Sequence, residues 1–386
     1  MKNVLSVLKD HTMQIVLLLV VIFFTITTNG QMLSPSSFNS LIAQNAYVYV
    51  LAVGMLMCML TGGNIDLAVG SIVCFIGAIG AILMVNMGWP LWLALIIMPV
   101  IGLAIGSLVG WLIAYLDVPP WIATLGGYLA FRGWGTALLN GLTIGGLPDG
   151  FVKMFSGYLP SPKIGALNLT AIILGAVTIV VFVVLQVRSR NNKISKGYEV
   201  EKKSAIISRC VIISLIIGYV CYKLAAYKGI QLYLVWVAVI LLVYNFIISS
   251  TSFGRYFYTI GGNREATRLS GVDTRKIYFF AYLNMAFLTV IATWMTMARL
   301  TAANPTAGTN YEMDAIAACV VGGVSAYGGS GSVFGMVVGA TLIGVINLGM
   351  SLMGIDANWQ KIVKGIVLLA AVVFDIKVNA KKNATK

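Results

Sequence analysis

Long apolar runs separated by short polar segments make up this chain from end to end. A membrane-crossing helix needs about 20 mostly apolar residues, and twelve runs approach that length. They are 13–28, 41–60, 67–86, 90–115, 121–139, 167–187, 205–222, 231–250, 277–299, 312–327, 331–353 and 358–375. Two of them, 121–139 and 312–327, are short or polar enough to be re-entrant or broken helices. The pattern predicts an all-α, polytopic transmembrane bundle of about 10–12 spans, with residues 1–386 forming a single domain.

The positive charges between the runs predict the orientation of the bundle. Membrane loops rich in Lys and Arg remain in the cytoplasm. If the N-terminus is inside, six crossings place the basic segment 188–203 inside, eight place 254–276 inside, and twelve place the Lys-rich C-terminal tail inside. We therefore expect both termini to be cytoplasmic. The longest external loop, about 141–166, is expected to be partly ordered against the outer face.

Composition supports the membrane assignment. Hydrophobic residues make up 59% of the chain and charged residues only 10%, with a mean hydropathy of +0.92, whereas soluble domains carry about 25% charged residues. The net charge of +14 lies in clusters beside apolar runs, which favours contact with anionic lipid headgroups and argues against nucleic acid. The apolar run from Met13 to Ile26 resembles a signal peptide, but it lacks a clean cleavage site, so an uncleaved first span is expected.

Motifs of catalysis and metal binding are missing from the sequence. The five cysteines form no C-x-x-C pair, and a single histidine, His11, cannot complete a zinc site with them. There is no P-loop, no H-E-x-x-H or G-x-S-x-G motif, and no potassium-channel filter. We expect a protein that is not an enzyme and that binds no cofactor of its own.

The interval 254–276 is the most polar long segment in the second half, with five cations and two acids. Asn263 suits a helix N-cap, the next residues can form about two helical turns, and Gly271 suits the C-terminal cap. A short capped helix between two spans is typical of a docking surface for a cytoplasmic partner. The alternative is a solvated basic loop with an incidental helical turn. The predicted docking residues are Gly262, Asn263, Arg264, Glu265, Ala266, Leu269, Ser270 and Gly271.

Two polar clusters lie at the ends of apolar runs. Asp66 follows a Gly-Gly-Asn sequence between two spans, where an interrupted helix would present polar groups to a solute pathway. Alternatively, Asn64 or Asp66 would cap the helix that begins at Leu67. Glu312 and Asp314 are two residues apart and so point to different helix faces. They would complement the helix dipole or contact a partner at the outer surface. The predicted pathway residues are Asn64, Asp66, Ser71, Glu312 and Asp314.

Glycine spacing gives a further indication of architecture. Glycines four residues apart recur on two predicted helices, at 102, 106 and 110 and at 331, 335 and 339, and this spacing is typical of close helix packing in lipid. The stretch 62–72 also resembles 322–333. Paired Gly-rich interruptions in two halves of a chain are found near the pathways of transporters built from repeats.

Several motifs together resemble the permease subunits of bacterial monosaccharide ABC importers, the group that handles ribose, xylose, galactose and multiple monosaccharides. This group is related to branched-chain amino acid permeases. The resemblance covers roughly 40–190 and 250–375. The motifs are T-G-G-N-I-D-L-A-V-G-S (61–71), I-G-G-N-R-E-A-T-R-L-S-G-V (260–272), A-R-L-T-A-A-N-P-T-A-G-T-N-Y-E-M-D-A-I-A-A (298–318), V-G-G-V-S-A-Y-G-G-S-G-S-V-F-G (321–335) and W-Q-K-I-V-K-G-I-V-L-L-A-A-V-V-F-D (359–375).

The resemblance implies a homodimer of permeases in the bacterial inner membrane, completed by a cytoplasmic ABC ATPase that uses ATP and by an external monosaccharide-binding protein. It implies that 261–271 is the coupling element that contacts the ATPase, within the coupling loop 254–276. The chain departs from the short ribose-type members by an extra stretch, 188–250, which we interpret as a two-span insertion. Asn64 stands where many members have another residue, so the pathway is expected to differ locally.

Three alternative functions remain open at this stage. An ion-coupled secondary sugar transporter would need an acid such as Asp66 to titrate during transport. An ABC permease for branched-chain amino acids or nucleosides would have the same fold, and a zwitterionic solute would favour a charge pair or helix termini in the pathway. A membrane-embedded enzyme is disfavoured because the catalytic motifs are missing.

Overall fold

A computed structural model describes residues 12–165, 167–198 and 203–384, and these residues are almost entirely helical. They form fifteen α-helices: α1 Thr12–Thr27, α2 Pro35–Leu60, α3 Val69–Ala81, α4 Leu91–Ala114, α5 Pro120–Leu138, α6 Asp149–Ser156, α7 Leu169–Ser195, α8 Lys203–Ala225, α9 Leu232–Ser250, α10 Ser252–Gly262, α11 Arg264–Leu269, α12 Thr274–Leu300, α13 Tyr311–Val321, α14 Val333–Leu352 and α15 Ala357–Ala384. A 3₁₀ turn, Gln31–Leu33, precedes α2, and a π turn, Ile82–Asn86, extends α3.

The strands are only two residues long. Strand β1 (Ile144–Gly145) pairs antiparallel with β4 (Ala302–Ala303), with Ile144 opposite Ala303. Strand β2 (Lys163–Ile164) pairs with β3 (Leu167–Asn168). Strands β1, β2 and β3 and the short helix α6 all lie in the loop between α5 and α7. The prediction that this loop is partly ordered is therefore confirmed.

The all-α transmembrane prediction is confirmed, since each of the twelve predicted runs coincides with a helix. Within the described residues, eight helices are long and apolar enough to cross a membrane. Helix boundaries follow local capping. Helix α2, for example, starts six residues earlier than expected because the Ser34 side chain accepts a hydrogen bond from the Ser37 backbone N–H and Pro35 occupies the first turn.

Two details of the predicted spans differ from the structure. The run 121–139 is one unbroken helix, α5, so the broken alternative is excluded there, whereas the re-entrant alternative stays a prediction. The run 312–327 is broken as expected, but its helix α13 ends at Val321, where Gly322 and Gly323 follow. Eleven helical residues rise about 16 Å, roughly half of the ~30 Å hydrocarbon core. The non-helical segment 322–332, called here the second break, connects α13 to α14.

The first break is the segment 61–68, between α2 and α3. The helix after it begins at Val69 rather than at Leu67, because Asp66 Oδ1 accepts the Ala68 N–H at 2.9 Å and holds a turn there. The two breaks correspond to the two stretches whose sequences resemble each other.

Both glycine ridges pack inside the chain. A Cβ atom on Gly106 of α4 would lie 3.2 Å from the Leu283 Cα atom of α12, and one on Gly339 of α14 would lie 2.7 Å from the Gly322 nitrogen. These helices therefore approach each other closely enough for backbone contact. Helix α2 lies at the centre of the bundle, where its residues from Val50 to Leu60 are all buried.

The two ends of the bundle are distinguished by the inter-helix loops that contact each other there. At one end, the α4–α5 turn contacts the α11 region through Asp117, whose carboxylate lies 3.6 Å from the Arg264 guanidinium. We call this the basic end. At the opposite end, β1 meets β4, and Tyr158 bridges to Gln231. By the positive-inside rule we expect the basic end to be cytoplasmic.

The segment 188–250, predicted to be an insertion, contains two helices with different environments. Helix α8 buries only Leu224 and Ala225 near its end. Helix α9 buries one face, Tyr233, Val237, Ile240, Tyr244 and Ile248, whose spacing is helical. Thus α8 lies at the periphery beside α7, whereas α9 is part of the core. The insertion itself remains a prediction.

Candidate coupling surface and solute pathway

Helix α11 is built by local capping at both ends. The Asn263 Oδ1 atom accepts the Ala266 N–H at 2.9 Å, and Gly271 adopts a φ of 89° just beyond the last turn. The Arg268 guanidinium donates two hydrogen bonds to the Glu265 carboxylate, at 2.6 and 3.0 Å. These bonds hold the pKa of Glu265 below its ordinary value. The sequence predicted this helix and both of its caps.

All eight predicted docking residues are exposed, whereas Thr267 faces inward. Among them, Leu269 projects an apolar side chain that is 75% exposed. A groove of about 400 Å³ runs between α10 and α11, from Tyr256 and Thr259 to Ser270 and Val272. The arrangement offers a partner protein a rigid polar rim with one projecting apolar side chain.

Helix α10, which precedes α11, was not predicted from the sequence. Its signals were present: the Thr251 side chain accepts the Gly254 N–H as an N-cap, and Phe253, Phe257 and Ile260 follow at helical spacing. Helix α10 carries Gly261 at its end, directly before the capped helix.

The docking surface is tied to the bundle by aromatic and charged side chains. The Arg264 guanidinium stacks over the Tyr278 ring at 4.9 Å, and the Tyr278 hydroxyl donates to the Thr61 carbonyl oxygen at 2.8 Å. The Tyr258 hydroxyl donates to the Gly331 carbonyl oxygen at 3.0 Å. Tyr278 therefore reaches the first break, and Tyr258 reaches the second.

The two breaks lie against each other at the basic end. The Gly329 N–H donates to the Leu60 carbonyl oxygen at 3.0 Å. A Cβ atom on Gly63 would lie 2.9 Å from the Ala326 carbonyl carbon, and one on Gly328 would lie 2.9 Å from the Gly63 nitrogen. Only glycine permits this backbone-to-backbone contact, which we call the glycine seam.

The predicted pathway residues separate into three places. Asn64 is partly exposed at the basic end, where its Nδ2 atom donates to Thr61 Oγ1 at 3.0 Å. Asp66 is buried, and its Oδ1 atom accepts the Ala68 N–H in the turn before α3. Because α3 begins at Val69 without a side-chain cap, the expected cap on a helix that begins at Leu67 is wrong. Ser71 lies in the first turns of α3, fully buried, and its hydroxyl has no hydrogen-bond partner in the part of the chain that the structure describes.

Glu312 and Asp314 face opposite sides of α13, as their spacing predicts. The Glu312 Oε2 atom contacts Gly70, next to Ser71, and is buried without a hydrogen-bond partner among the described residues. Nearby, Arg132 donates to the carbonyl oxygens of Pro305 and Ala307 at 3.1 and 2.7 Å. Ser71 and Glu312 thus leave an unused hydroxyl and an unused carboxylate oxygen in neighbouring turns of α3 and α13. Such groups suit the hydroxyls of a neutral solute.

Asp314 is occupied by other partners. Its carboxylate accepts hydrogen bonds from Lys364 Nζ at 2.8 Å and from the Tyr47 hydroxyl at 2.7 Å. The Tyr47 ring in turn stacks on Tyr311. This network joins α13 to α15 and α2 beside a cavity of about 190 Å³. Sequence reasoning missed Lys364 because it lies 50 residues away in an apolar helix.

The described residues contain no group of His, Cys, Asp and Glu side chains that would hold a metal ion.

Comparison with known proteins places these features in a family. The family model described as branched-chain amino acid transport system / permease component matches residues 37–372. The xylose transport system permease protein XylH of Escherichia coli K12 is 37% identical over 96% of this chain and 93% of its own length. XylH of Haemophilus influenzae is also 37% identical, over 97% and 98%. The ribose import permease protein RbsC of E. coli K12 is 30% identical over 94% and 92%. No solved structure matches the chain.

The chain therefore belongs to the branched-chain amino acid transport system permease family, within its group of sugar ABC importer permeases. It is a multi-pass protein of the bacterial inner membrane. Its relatives are transport permeases and not enzymes.

Proposed function

We propose that this chain is the membrane permease of an importer for xylose or a closely related monosaccharide. An external sugar-binding protein delivers the solute, a separate ABC ATPase supplies the energy, and two copies of this chain form the transmembrane core. The permease itself binds no cofactor. The names of the relatives support this assignment, because the xylose permeases share 37% identity over nearly the full length.

The observation that carries the coupling role is the position of α11. It is exposed and capped, and it lies at the end of the bundle where both helix breaks meet. We propose that the ATPase contacts Gly262, Asn263, Arg264, Glu265, Ala266, Leu269, Ser270 and Gly271. Movement of this surface would then re-orient the spans between outward and inward access.

We propose that the solute passes beside α3 and α13, near Asn64, Asp66, Ser71 and Glu312. The unpartnered Ser71 hydroxyl and Glu312 oxygen support this placement. Asp314 is proposed to border the pathway from the far face of α13, held by Lys364. With few strong binding groups here, sugar specificity would lie mainly in the binding protein.

The test is to express this chain with its cognate ATPase and binding protein, purify the complex, and measure ATP hydrolysis in liposomes with and without xylose-loaded binding protein. We expect a stoichiometric complex whose ATP hydrolysis rises with loaded binding protein. A chain that is folded but neither retains the ATPase nor alters its hydrolysis would contradict the proposal. If the uptake of labelled xylose falls when unlabelled xylose is added but not when leucine is added, an amino acid importer is excluded.

A further inference from the structure

We infer that Tyr258 and Tyr278 are positioning residues that fasten the docking surface to both helix breaks, so that a displacement of α11 moves the two breaks as one unit. The inference rests on the proposed function, and it assigns the transmission of movement to two hydroxyl groups.

Tyr278 forms the connection to the first break. It lies in the first turns of α12, under the Arg264 guanidinium, with 4.9 Å between the guanidinium carbon and the ring centre. Its hydroxyl donates to the Thr61 carbonyl oxygen at 2.8 Å. Thr61 follows the last residue of α2, so its carbonyl group belongs to the backbone that must turn when the first break changes shape. A displaced Arg264 would therefore act on this carbonyl through one aromatic ring.

Tyr258 forms the connection to the second break. It lies in the middle of α10, and its hydroxyl donates to the Gly331 carbonyl oxygen at 3.0 Å. Gly331 is the penultimate residue before α14, and Ser332 caps that helix through the Gly335 N–H at 3.0 Å. Because α10 runs into Asn263, which caps α11, the two helices share one rigid connection.

The glycine seam explains why the two connections act together. The Leu60 carbonyl oxygen accepts the Gly329 N–H at 3.0 Å, and a Cβ atom on Gly261 would lie 3.0 Å from the Gly329 Cα atom and even closer to the Leu60 oxygen. Backbone from α10, the first break and the second break therefore meets without intervening side chains. With so little free space, none of the three segments can shift far without the others.

The consequence is a division of roles among the residues at the basic end. The exposed residues of α11 would bind the ATPase, whereas the two tyrosines, which face the bundle, would transmit its movement. Removing a hydroxyl would leave ATPase binding intact but would loosen the connection to one break. A single hydrogen bond of ordinary strength corresponds to about a fivefold change in an equilibrium, so we expect about fivefold less sugar moved per ATP hydrolysed for each variant.

The experiment uses the complete complex of permease, ATPase and binding protein in liposomes. Tyr258→Phe, Tyr278→Phe and the double variant are compared with Tyr282→Phe, one helical turn beyond Tyr278. The Tyr282 hydroxyl is buried and has no hydrogen-bond partner among the described residues. Three quantities are measured: ATPase retained on purification, ATP hydrolysed, and xylose taken up.

We expect all variants to retain the ATPase, and we expect uptake per ATP to fall about fivefold in each single variant and further in the double variant. The Tyr282→Phe complex should match the unmodified one. An unchanged ratio in both single variants would overturn the inference, and so would loss of the ATPase, since that would make the tyrosines docking residues. If the unmodified complex shows no ATP-dependent uptake, the proposed function fails instead. Should the double variant not assemble, the single variants decide.

Discussion

Replacing Gly261 by alanine tests whether the docking surface bears directly on the helix breaks. Gly261 is the next-to-last residue of α10, and a Cβ atom there would overlap the Leu60 carbonyl oxygen and lie 3.0 Å from the Gly329 Cα atom. Carbon atoms in contact prefer about 3.5–4.0 Å. The neighbouring atoms are backbone, so they cannot rotate away as a side chain would, and one segment must move.

The expected magnitude follows from three contributions. Overpacking of a tight contact destabilises by about 1–3 kcal/mol. Separation of Leu60 from Gly329 would also weaken their 3.0 Å hydrogen bond, worth about 1 kcal/mol. Alanine favours a helix over glycine by about 0.5–1 kcal/mol, which offsets part of the loss. We therefore expect Gly261→Ala to lower the free energy of unfolding by about 1–3 kcal/mol.

The matched control is the adjacent Gly262→Ala, because a Cβ atom on Gly262 has no heavy atom within 4 Å. Both variants are unfolded by denaturant titration in detergent micelles, without the ATPase, so that partner binding does not contribute. Gly262→Ala should match the unmodified chain or exceed its stability. Equal stability of the two variants would refute the close contact between α10 and the breaks.

Four further outcomes are expected. Lys364→Met should lower the free energy of unfolding by about 3 kcal/mol, the lower end for breaking a buried pair, since Lys364 is 25% exposed. The control Lys361→Met should leave stability unchanged, and adding Asp314→Asn to Lys364→Met should restore part of the loss. If it restores nothing, the ion pair does not hold α15. Ser332→Ala removes the side-chain cap of α14 and should lower the free energy of unfolding by about 1 kcal/mol. The control Ser330→Ala, measured in the same denaturant titration, should leave it unchanged. Equal effects of the two changes would refute the cap. Glu265→Lys, or Gly271→Val at its positive φ, should abolish sugar-stimulated ATP hydrolysis while folded protein remains in the membrane; normal stimulation in both would contradict the docking site. Asp66→Asn should leave uptake insensitive to an imposed proton gradient, since the Asp66 carboxylate holds the turn before α3; gradient-driven uptake that this change removes would contradict that role.

The helix layout follows from the sequence because a membrane leaves the backbone few choices. Each spanning segment must satisfy its own hydrogen bonds, so a long apolar run is a helix. Counting the crossings between basic segments predicted that these segments share one side of the membrane. In the structure, Arg264 of one such segment lies beside Asp117 at the basic end. Helix α11 was also predictable, since its caps, Asn263 and Gly271, are local signals.

The contacts that join distant segments were not predictable. The second break packs Gly328 against Gly62 and Gly63 of the first break, more than 260 residues earlier in the sequence. The end of α13, by contrast, had a local signal that the pattern of apolar residues hid: Gly323 adopts a φ of 83° just beyond the last turn, and the Val324 N–H donates to the Cys319 carbonyl oxygen at 2.9 Å. The ion pair of Asp314 with Lys364 was likewise hidden, because two residues on different helices share no periodicity.

Xylose uptake by proteoliposomes tests the central claim most directly. Vesicles contain this chain with its ATPase and external binding protein, and uptake is followed with ATP inside, with an imposed proton or sodium gradient instead, and with the Glu265→Lys variant. Our account predicts uptake that requires ATP and the ATPase, ignores either gradient, and disappears in the variant. Uptake driven by an ion gradient through this chain alone would contradict it.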